Sequence, residues 1–470
     1  MTLRAIFPRR CMSALKLSSL ALLLVAGQAL AADRAAATCS FADVTTAYNA
    51  AVDGDRVLIP AGTCTWNNTL TVSKGIQILG VSNASPVITG ARFTVTVPAG
   101  KAWTIGQFRT NGTAGFNITG SSKAGRITAV YFDGVTGFTQ NRIIWIEPSG
   151  AWYSTGVIDN VTFFQPLSIQ FHVRESGNAG GNDSYRRPLD LGGPDAWYVE
   201  DSTFQHTATS YNVSTPATDC DGGGRYVVRY SQIIYNYTEQ HDAIVGGIRG
   251  CRKFEIYNNT FSPDFNDNFG VAGIRGGTGV MFNNTITTKT FASSTTADAN
   301  YSIGEFRMQT YRRSSIGSAG APWGNLCSNT SGKICLNGST VPTACTSDAQ
   351  CGGQAGSCIA TDGASSSPTG YPCRDQNGVS GNNPQFSRPV LFWNNRYSAA
   401  VIAPFTNDFA GPEVADGLTT YVQENRDFCV GRATMPTTCN GIVTRYTPYP
   451  YPHPLRTRAG PVKPTGGAVN

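Results

Sequence analysis

From Val57 onward the chain is a succession of short apolar stretches separated by Gly, Asn and Lys turns. Val57-Leu58-Ile59-Pro60, Thr69-Leu70-Thr71-Val72 and Ile76-Gln77-Ile78-Leu79-Gly80 come first, and residues 86–89, 93–97 and 103–105 continue the pattern. Runs this short, bounded by turn residues, predict β-strands. One stretch has a different period. In residues 40–52 Phe41, Val44, Ala47, Tyr48, Ala51 and Val52 fall on one helical face, and Ser40 with Asp43 resembles a capping box. A single amphipathic helix is expected there.

Further along, a strand ending in an Asn or Asp pair and a large apolar residue recurs. The copies are Phe132-Asp133-Gly134-Val135, Ile158-Asp159-Asn160-Val161, Val199-Glu200-Asp201-Ser202, a degenerate Tyr230-Ser231-Gln232-Ile233, Tyr257-Asn258-Asn259-Thr260, Phe282-Asn283-Asn284-Thr285 and Trp393-Asn394-Asn395-Arg396. With the copies aligned so that Tyr230 matches Asp201 and Asn258, the offsets are 26, 41, 29, 28, 25 and 111 residues. A period near 27, divided among three strands, is the signature of a solenoid whose coils cannot bury their apolar faces alone. The expected fold is all-β: a right-handed parallel β-helix of three-strand coils, each about 25–28 residues, stacked at about 4.8 Å. Asn at the same inward turn in successive coils would hydrogen-bond to its equivalents. The helix in residues 40–52 would cap the first open edge.

Composition narrows the class. Of 470 residues 14% are charged, 40% hydrophobic and 10% aromatic, with 52 Gly and 25 Pro, which excludes bundles, coiled coils and general disorder. Residues 1–31 read as a secretory signal: Arg4, Arg9, Arg10 and Lys16 precede the apolar run 17–25, and Ala29-Leu30-Ala31 supplies a cleavage site. The apolar run is too short to span a bilayer. Without this segment the formal charge falls from +6 to about +2, so nucleic acid is not an expected partner. Removing Cys11 from the 13 cysteines leaves an even number, as in an exported, disulfide-bonded protein. Cys39–Cys64, Cys220–Cys251 and Cys429–Cys439 are the expected short-range pairs. Six cysteines fall within the apolar-poor residues 325–375, a disulfide-rich insertion that accounts for the 111-residue offset. The organisation is thus signal 1–31, capped β-helix 32–324, insertion 325–375, and final coil with a Pro/Tyr-rich tail 376–470. The tail is expected to lie extended along the solenoid, with Tyr449 and Tyr451 packed on it.

The opening DVTTAYNAAVDGDRVLIPAGTCTW and LTVSKGIQILG, with the repeats EIYNNTF and VLFWNNRY, resemble exported bacterial β-helix proteins of the pectate-lyase superfamily. The resemblance spans roughly residues 38–310 and 386–400, and implies an acidic, uronate-containing polysaccharide as partner. It is specific for fold more than for activity. Where a pectate lyase would read W-I-D-H, this chain has Trp197-Tyr198-Val199-Glu200-Asp201, and polygalacturonase motifs are missing.

Positive charge and a proton acceptor are the chemistry such a partner needs. VGGIRG and VAGIRG are near copies 26 residues apart, so Arg249 and Arg275 are expected to stack on one face and hold a carboxylate. Arg225 and Arg252, 27 residues apart and beside Lys253, form a second expected pair. Glu305 or Arg307 would extend the first. His241, flanked by Glu239 and Asp242, is the candidate base or acid. His206 is a weaker candidate. His172 and His453 have no acidic neighbour close in sequence and are assigned no chemistry. No metal centre is assigned. Calcium at Asp219 and Asp221, with Asp190 and Asp195, is the one cofactor considered. The leading expectation is an exported polysaccharide lyase-like protein, with His241, Arg249 and Glu239 catalytic and Arg275, Arg225, Arg252 and Asp242 binding the sugar. The alternatives are a non-enzymatic β-helix adhesin or scaffold and a glycoside hydrolase. The geometry of Arg249, Arg275 and His241 separates them: a shared open groove favours chemistry, buried and paired heads favour a scaffold.

Overall fold

The computed structural model describes residues 31–81, 86–149, 153–175, 181–207, 215–241, 249–262, 271–287, 306–308, 333–335, 344–353, 358–360, 375–381, 386–397, 400–401 and 423–457. The signal segment therefore lies, but for Ala31, outside the described residues.

The fold is a parallel β-helix. Each coil lays down up to three strands, and each strand pairs in parallel with its equivalent one coil on, so three strips run along the solenoid. The first strip begins at Asp33–Ala35, Arg56–Ile59 and Gln77–Gly80, passes through Gly156–Asp159, Trp197–Glu200, Arg225–Arg229, Lys253–Tyr257 and Thr278–Phe282, and ends at Val390–Trp393 and Phe428–Gly431. The second runs from Thr63–Thr65 through Thr162–Phe164 and Thr203–Gln205 to Arg396–Tyr397. The third carries Thr69–Val72, Arg92–Val95, Arg142–Ile146, Ile169–Val173, Thr218–Cys220, Thr238–Gln240, Ala272–Ile274 and Phe306–Met308. Trp103–Ile118 pairs with all three strips in turn, bending at Gln107 and Gly112, whose φ values are 62° and 70°.

The opening sequence pattern is displaced by one strand. Gln77–Gly80 does not complete the first coil; it pairs with Arg56–Ile59 and starts the second. The strand that fills the first coil is Thr63–Thr65, which carries no apolar alternation and so gives no signal.

Inside, alternate residues of each strip stack on their equivalents. Phe132, Phe163 and Phe204 form a column with ring centroids 4.9 and 5.0 Å apart, the coil spacing itself. The turn after the first strip repeats a two-residue device. Asn160, Asp201, Tyr230, Asn258, Asn283 and Asn394 all take φ between 47° and 56°, which Asn and Asp tolerate better than other side chains. The next residue points inward: Ser231 N–H donates to Asn259 Oδ1, Asn259 N–H to Asn284 Oδ1, and Asn284 N–H to Asn395 Oδ1, at 3.0 to 3.2 Å. The buried turn is satisfied coil by coil.

The helix Phe41–Ala50 caps the first coil, with Ser40 Oγ accepting from the Asp43 N–H and Val44, Ala47 and Tyr48 buried. Val52, expected on the same face, is exposed. Cys39–Cys64, Cys220–Cys251 and Cys429–Cys439 are formed, as is Cys345–Cys358 within a small antiparallel sheet of the insertion. The tail is extended over the first strip: Tyr446 Oη donates to Glu255, Tyr449 packs on Tyr198, and Tyr451 stacks on Tyr230. Among the described residues no helix is long and apolar enough to cross a membrane.

Candidate functional site

On the third strip the side chains alternate between core and exterior. Ile144, Ile146, Phe171, Val173, Cys220, Ala272 and Ile274 belong to the core. The residues between them point outward and fall into two columns by register. One column runs Trp145, His172, Asp219, Glu239, Gly273; the other runs Glu147, Arg174, Asp221, His241, Arg275. Most members are ionisable, and acids and bases lie beside one another within and between the two columns.

The contacts form a continuous chain. Arg275 Nη2 lies 2.6 Å from His241 Nε2 and also reaches Glu239 Oε1. His241 Nε2 is 3.0 Å from Asp219 Oδ1. The other oxygen, Asp219 Oδ2, is 3.2 Å from His172 Nδ1, and His172 Nε2 is 3.1 Å from Asp221 Oδ1. Asp221 takes a bidentate pair from Arg174 at 2.6 Å to each oxygen, and Arg174 reaches Glu147 at 3.5 Å. An arginine can only donate, so His241 Nε2 presents its lone pair to Arg275. The Cys220–Cys251 bridge anchors the strand that carries both aspartates.

Electrostatics follow from this packing. Burial pushes the His172 imidazolium down, but Asp219 and Asp221 outweigh it and hold the group above its ordinary range. Burial raises Asp219, yet His241 and His172 bring it well below the usual carboxylate range. Asp221 is lowered as well, against its burial, by His172 and Arg174.

Several expectations are corrected here. Arg249 does not stack on Arg275. Register places Arg275 across from His241, because the two Gly-Ile-Arg-Gly copies are alike in sequence but differently paired. Arg249 is fully buried, its guanidinium forked onto Asp375 at 2.6 and 2.8 Å, bonded to Asn182 and lying 3.5 Å from the Tyr185 ring centre. Arg225 stacks on Lys253 rather than on Arg252, since the offset is 28 residues and not 27. It is buried against Asp195, Ser184 and the Pro188 carbonyl. Arg252 is buried on Ser380, and burial lowers it to about 10. These three arginines line no open groove. Asp242 and Glu305 lie outside the described residues, and Arg307 is placed only by its backbone, opposite Gly273. His206 is buried, with its Nε2 3.3 Å from the Thr215 hydroxyl.

His172 is the residue the sequence concealed. Its partners lie 47 and 49 positions away, and the one available signal was alternation: His172-x-Arg174, Asp219-x-Asp221, Glu239-x-His241 and Gly273-x-Arg275 on equivalent strands. The four aspartates considered for calcium are divided. Asp219 and Asp221 serve the histidines, while Asp190 accepts from the Asp195 N–H and Asp195 pairs with Arg187 and Arg225. Asp219, Glu239 and His241 do converge within 4.8 Å, but Arg275 already places a cation against Glu239 and His241, so the set does not fit calcium.

A groove of about 710 Å³ lies elsewhere, on the outer face of the first strip between the Asp53–Lys101 ion pair and Leu455. Its other charged group, Arg126, is paired with Asp159. It offers volume but no acid–base pair, and the ladder is the chemically stronger site.

No family model matches the chain, and no curated protein does. Solved structures do. An alginate lyase from Paenibacillus sp. str. FPU-7 is 14% identical with a TM-score of 0.35, over 56% of this chain and 89% of that one. The PL6 family alginate lyase AlyGC is 12% identical with a TM-score of 0.36, over 88% and 55%. ORF18 of Geobacillus virus E2 is 12% identical with a TM-score of 0.34, over 52% and 54%. This chain thus spans little more than half the length of the last two. Such likeness carries no argument about activity. The β-helix rests on the strand register.

Proposed function

We propose that this protein is an exported polysaccharide lyase-like β-helix that engages an acidic, uronate-containing polysaccharide at the Glu239–His241–Arg275 end of the ladder. The observation that carries the reading is the Arg275 guanidinium resting on the lone pair of His241 Nε2 while tethered by Glu239. A uronate carboxylate would draw Arg275 away, because a guanidinium gains more from a carboxylate than from a neutral imidazole. That exchange neutralises the substrate carboxylate, acidifies the C5 proton and releases His241 Nε2 in one movement.

The released lone pair takes the C5 proton. The C5–H electrons form the C4–C5 double bond, the C4–O4 bond breaks, and His241 returns the proton to the departing O4. Asp219, 3.0 Å from Nε2, stabilises the imidazolium in between. Glu239 holds the other side of the guanidinium. In this reading Arg225, Arg249 and Arg252 secure the fold and make no substrate contact. The disulfides among the described residues accord with export to an oxidising compartment.

The test is ultraviolet absorbance in the unsaturated-uronate band, with the mature protein against pectate, alginate, glucuronan and glycosaminoglycans, with and without calcium. Rising absorbance is expected on at least one polymer. Flat traces throughout would leave the scaffold reading, which the buried, paired heads of Arg249, Arg275 and His241 favour, together with the burial of Arg225 and Arg252.

A further inference from the structure

The first strand of the solenoid, Asp33–Ala35, begins two residues after Ala31, the last residue of the cleavage signal Ala29-Leu30-Ala31. It pairs Asp33 with Arg56, Arg34 with Val57 and Ala35 with Leu58. Ala32 already belongs to this ladder, since its carbonyl accepts the Arg56 N–H at 2.8 Å. Its nitrogen is turned to a side chain instead. Ala32 N–H donates to Asp55 Oδ1 at 2.8 Å, while Oδ2 takes the Val52 N–H at 3.1 Å and Arg34 Nε at 2.9 Å. The Asp55 side chain, 4% exposed, is shielded by these partners.

We propose that the leader is cut between Ala31 and Ala32, and that the α-ammonium so created pairs with Asp55 and locks the first strand onto the mature β-helix. The proposal rests on export and not on the lyase chemistry. Hydrolysis by a leader peptidase breaks the Ala31–Ala32 C–N bond. Water gives its oxygen to the new Ala31 carboxylate and its two hydrogens to the Ala32 nitrogen, which becomes the ammonium.

Sequence alone does not fix the cut, because Gly27-Gln28-Ala29 has the same spacing of small residues as Ala29-Leu30-Ala31. The structure separates the two. A cut after Ala31 puts the new charge on the nitrogen that already touches a shielded carboxylate. A cut after Ala29 leaves a neutral amide there and the charge two residues away. A charged donor bonds a carboxylate about twice as strongly as a neutral one. Ala31 also lines the groove of about 710 Å³, beside Asp53 and Gly54, so its removal leaves the added hydrogens facing water.

The neighbouring charges are mostly committed. Arg34 shares Asp55, but its side chain is 39% exposed and screened by solvent. Asp33 pairs with Arg56, Asp53 with Lys101, and Lys74 Nζ rests on the carbonyls of Tyr48, Asn49 and Ala51. The Ala32 N–H is the largest influence holding Asp55 below the usual carboxylate range, and an ammonium in its place acts in the same direction. A three-residue strand at the end of a chain frays unless it is tied down. The ion pair ties it at its first residue, ahead of the Cys39–Cys64 bridge.

The experiment exports the full chain with its own leader and reads the N-terminus of the recovered protein by mass spectrometry. Ala32 is the expected first residue. The α-amino group is then titrated through the Ala32 methyl carbon in carbon-13 alanine-labelled protein, assigned by its loss in Ala32→Ser. An ordinary α-amino group titrates at about 7.7–8.0. Here the midpoint should lie about one pH unit higher, and Asp55→Asn should return it to the ordinary range. With the folded value above the unfolded one, the stabilisation is complete below about pH 7.7 and is lost as pH rises through the folded midpoint. A chain with one serine inserted between Ala31 and Ala32 keeps the amide on Asp55 and moves the charge away, and it serves should Asp55→Asn fail to fold. Its Tm should be lower by about 1–2 °C at pH 7, with the gap closing at about pH 10. A chain that keeps its leader, an N-terminus other than Ala32, an α-amino midpoint in the ordinary range, or equal Tm values at pH 7 would overturn the proposal.

Discussion

Arg275 lies directly across the strand pair from His241, 34 residues earlier in the chain, with Nη2 2.6 Å from Nε2. Gln240 pairs with Ile274 immediately before them, so the contact is set by backbone register and not by loop conformation. A ligand that displaces the guanidinium acts on both residues at once. Arg275→Lys keeps the charge and loses the planar fork that can address Glu239 and a uronate together. The expected result is a rise in KM with a turnover reduced on the order of 10²-fold, read from initial cleavage rates.

Arg249 and Asp375 make the opposite prediction. Both are fully buried and forked onto one another. Removing either partner leaves a buried charge, so Arg249→Met or Asp375→Leu should each cost about 3–5 kcal/mol, while the double variant should recover much of that loss. Urea denaturation of the three variants measures it. Near-wild-type stability in both single variants would contradict a structural role.

The turn device separates two adjacent asparagines. Asn284 is buried, accepts from Asn259 and donates to the Ile256 carbonyl and Asn395. Asn283 precedes it at φ 54° and is more exposed. Asn284→Ala should cost about 1–3 kcal/mol through orphaned polar groups, whereas Asn283→Gly should be near neutral because glycine adopts that conformation freely. Equal losses would show that the inward ladder adds nothing beyond turn geometry.

Those asparagines also show how much of the molecule was legible in its sequence. The repeat, the capping helix, three disulfides and the path of the tail could all be read, because each depends on local pattern or on spacing that survives coil to coil. Thr63–Thr65 could not, since a strand without apolar alternation leaves no mark. The site was half visible. His241 and Glu239 stood out because they adjoin in sequence, but their partner Arg275 was assigned to Arg249 on the strength of two similar tetrapeptides. Sequence likeness suggests which coil a residue is on, while hydrogen-bond register decides what it touches, and the register sets Arg275 across from His241. His172 was hidden for the same reason: its carboxylates are coil neighbours and distant in the chain.

His453 gives a pH prediction. It belongs to the tail and is buried against Tyr198, its Nδ1 accepts the Leu455 N–H, and burial with Arg229 and Arg456 lowers it to about 4, against a smaller opposing pull from Asp159. The folded pKa is below the unfolded one, so the unfolded chain binds the proton first as pH falls. Stability from this group is complete above about 6.5 and is lost progressively down to about 4. His453→Gln should flatten the dependence of Tm on pH across that window. An unchanged slope would contradict the assignment.

The measurement that bears most directly on the central claim compares wild type with His241→Ala on the acidic polysaccharide panel, following unsaturated-uronate absorbance and the denaturation midpoint of each protein. The account predicts rising absorbance for wild type, a loss of 10²-fold or more in the variant, and a variant that remains folded. Cleavage by His241→Ala at the wild-type rate, or a wild type that cleaves none of the polymers, would contradict it.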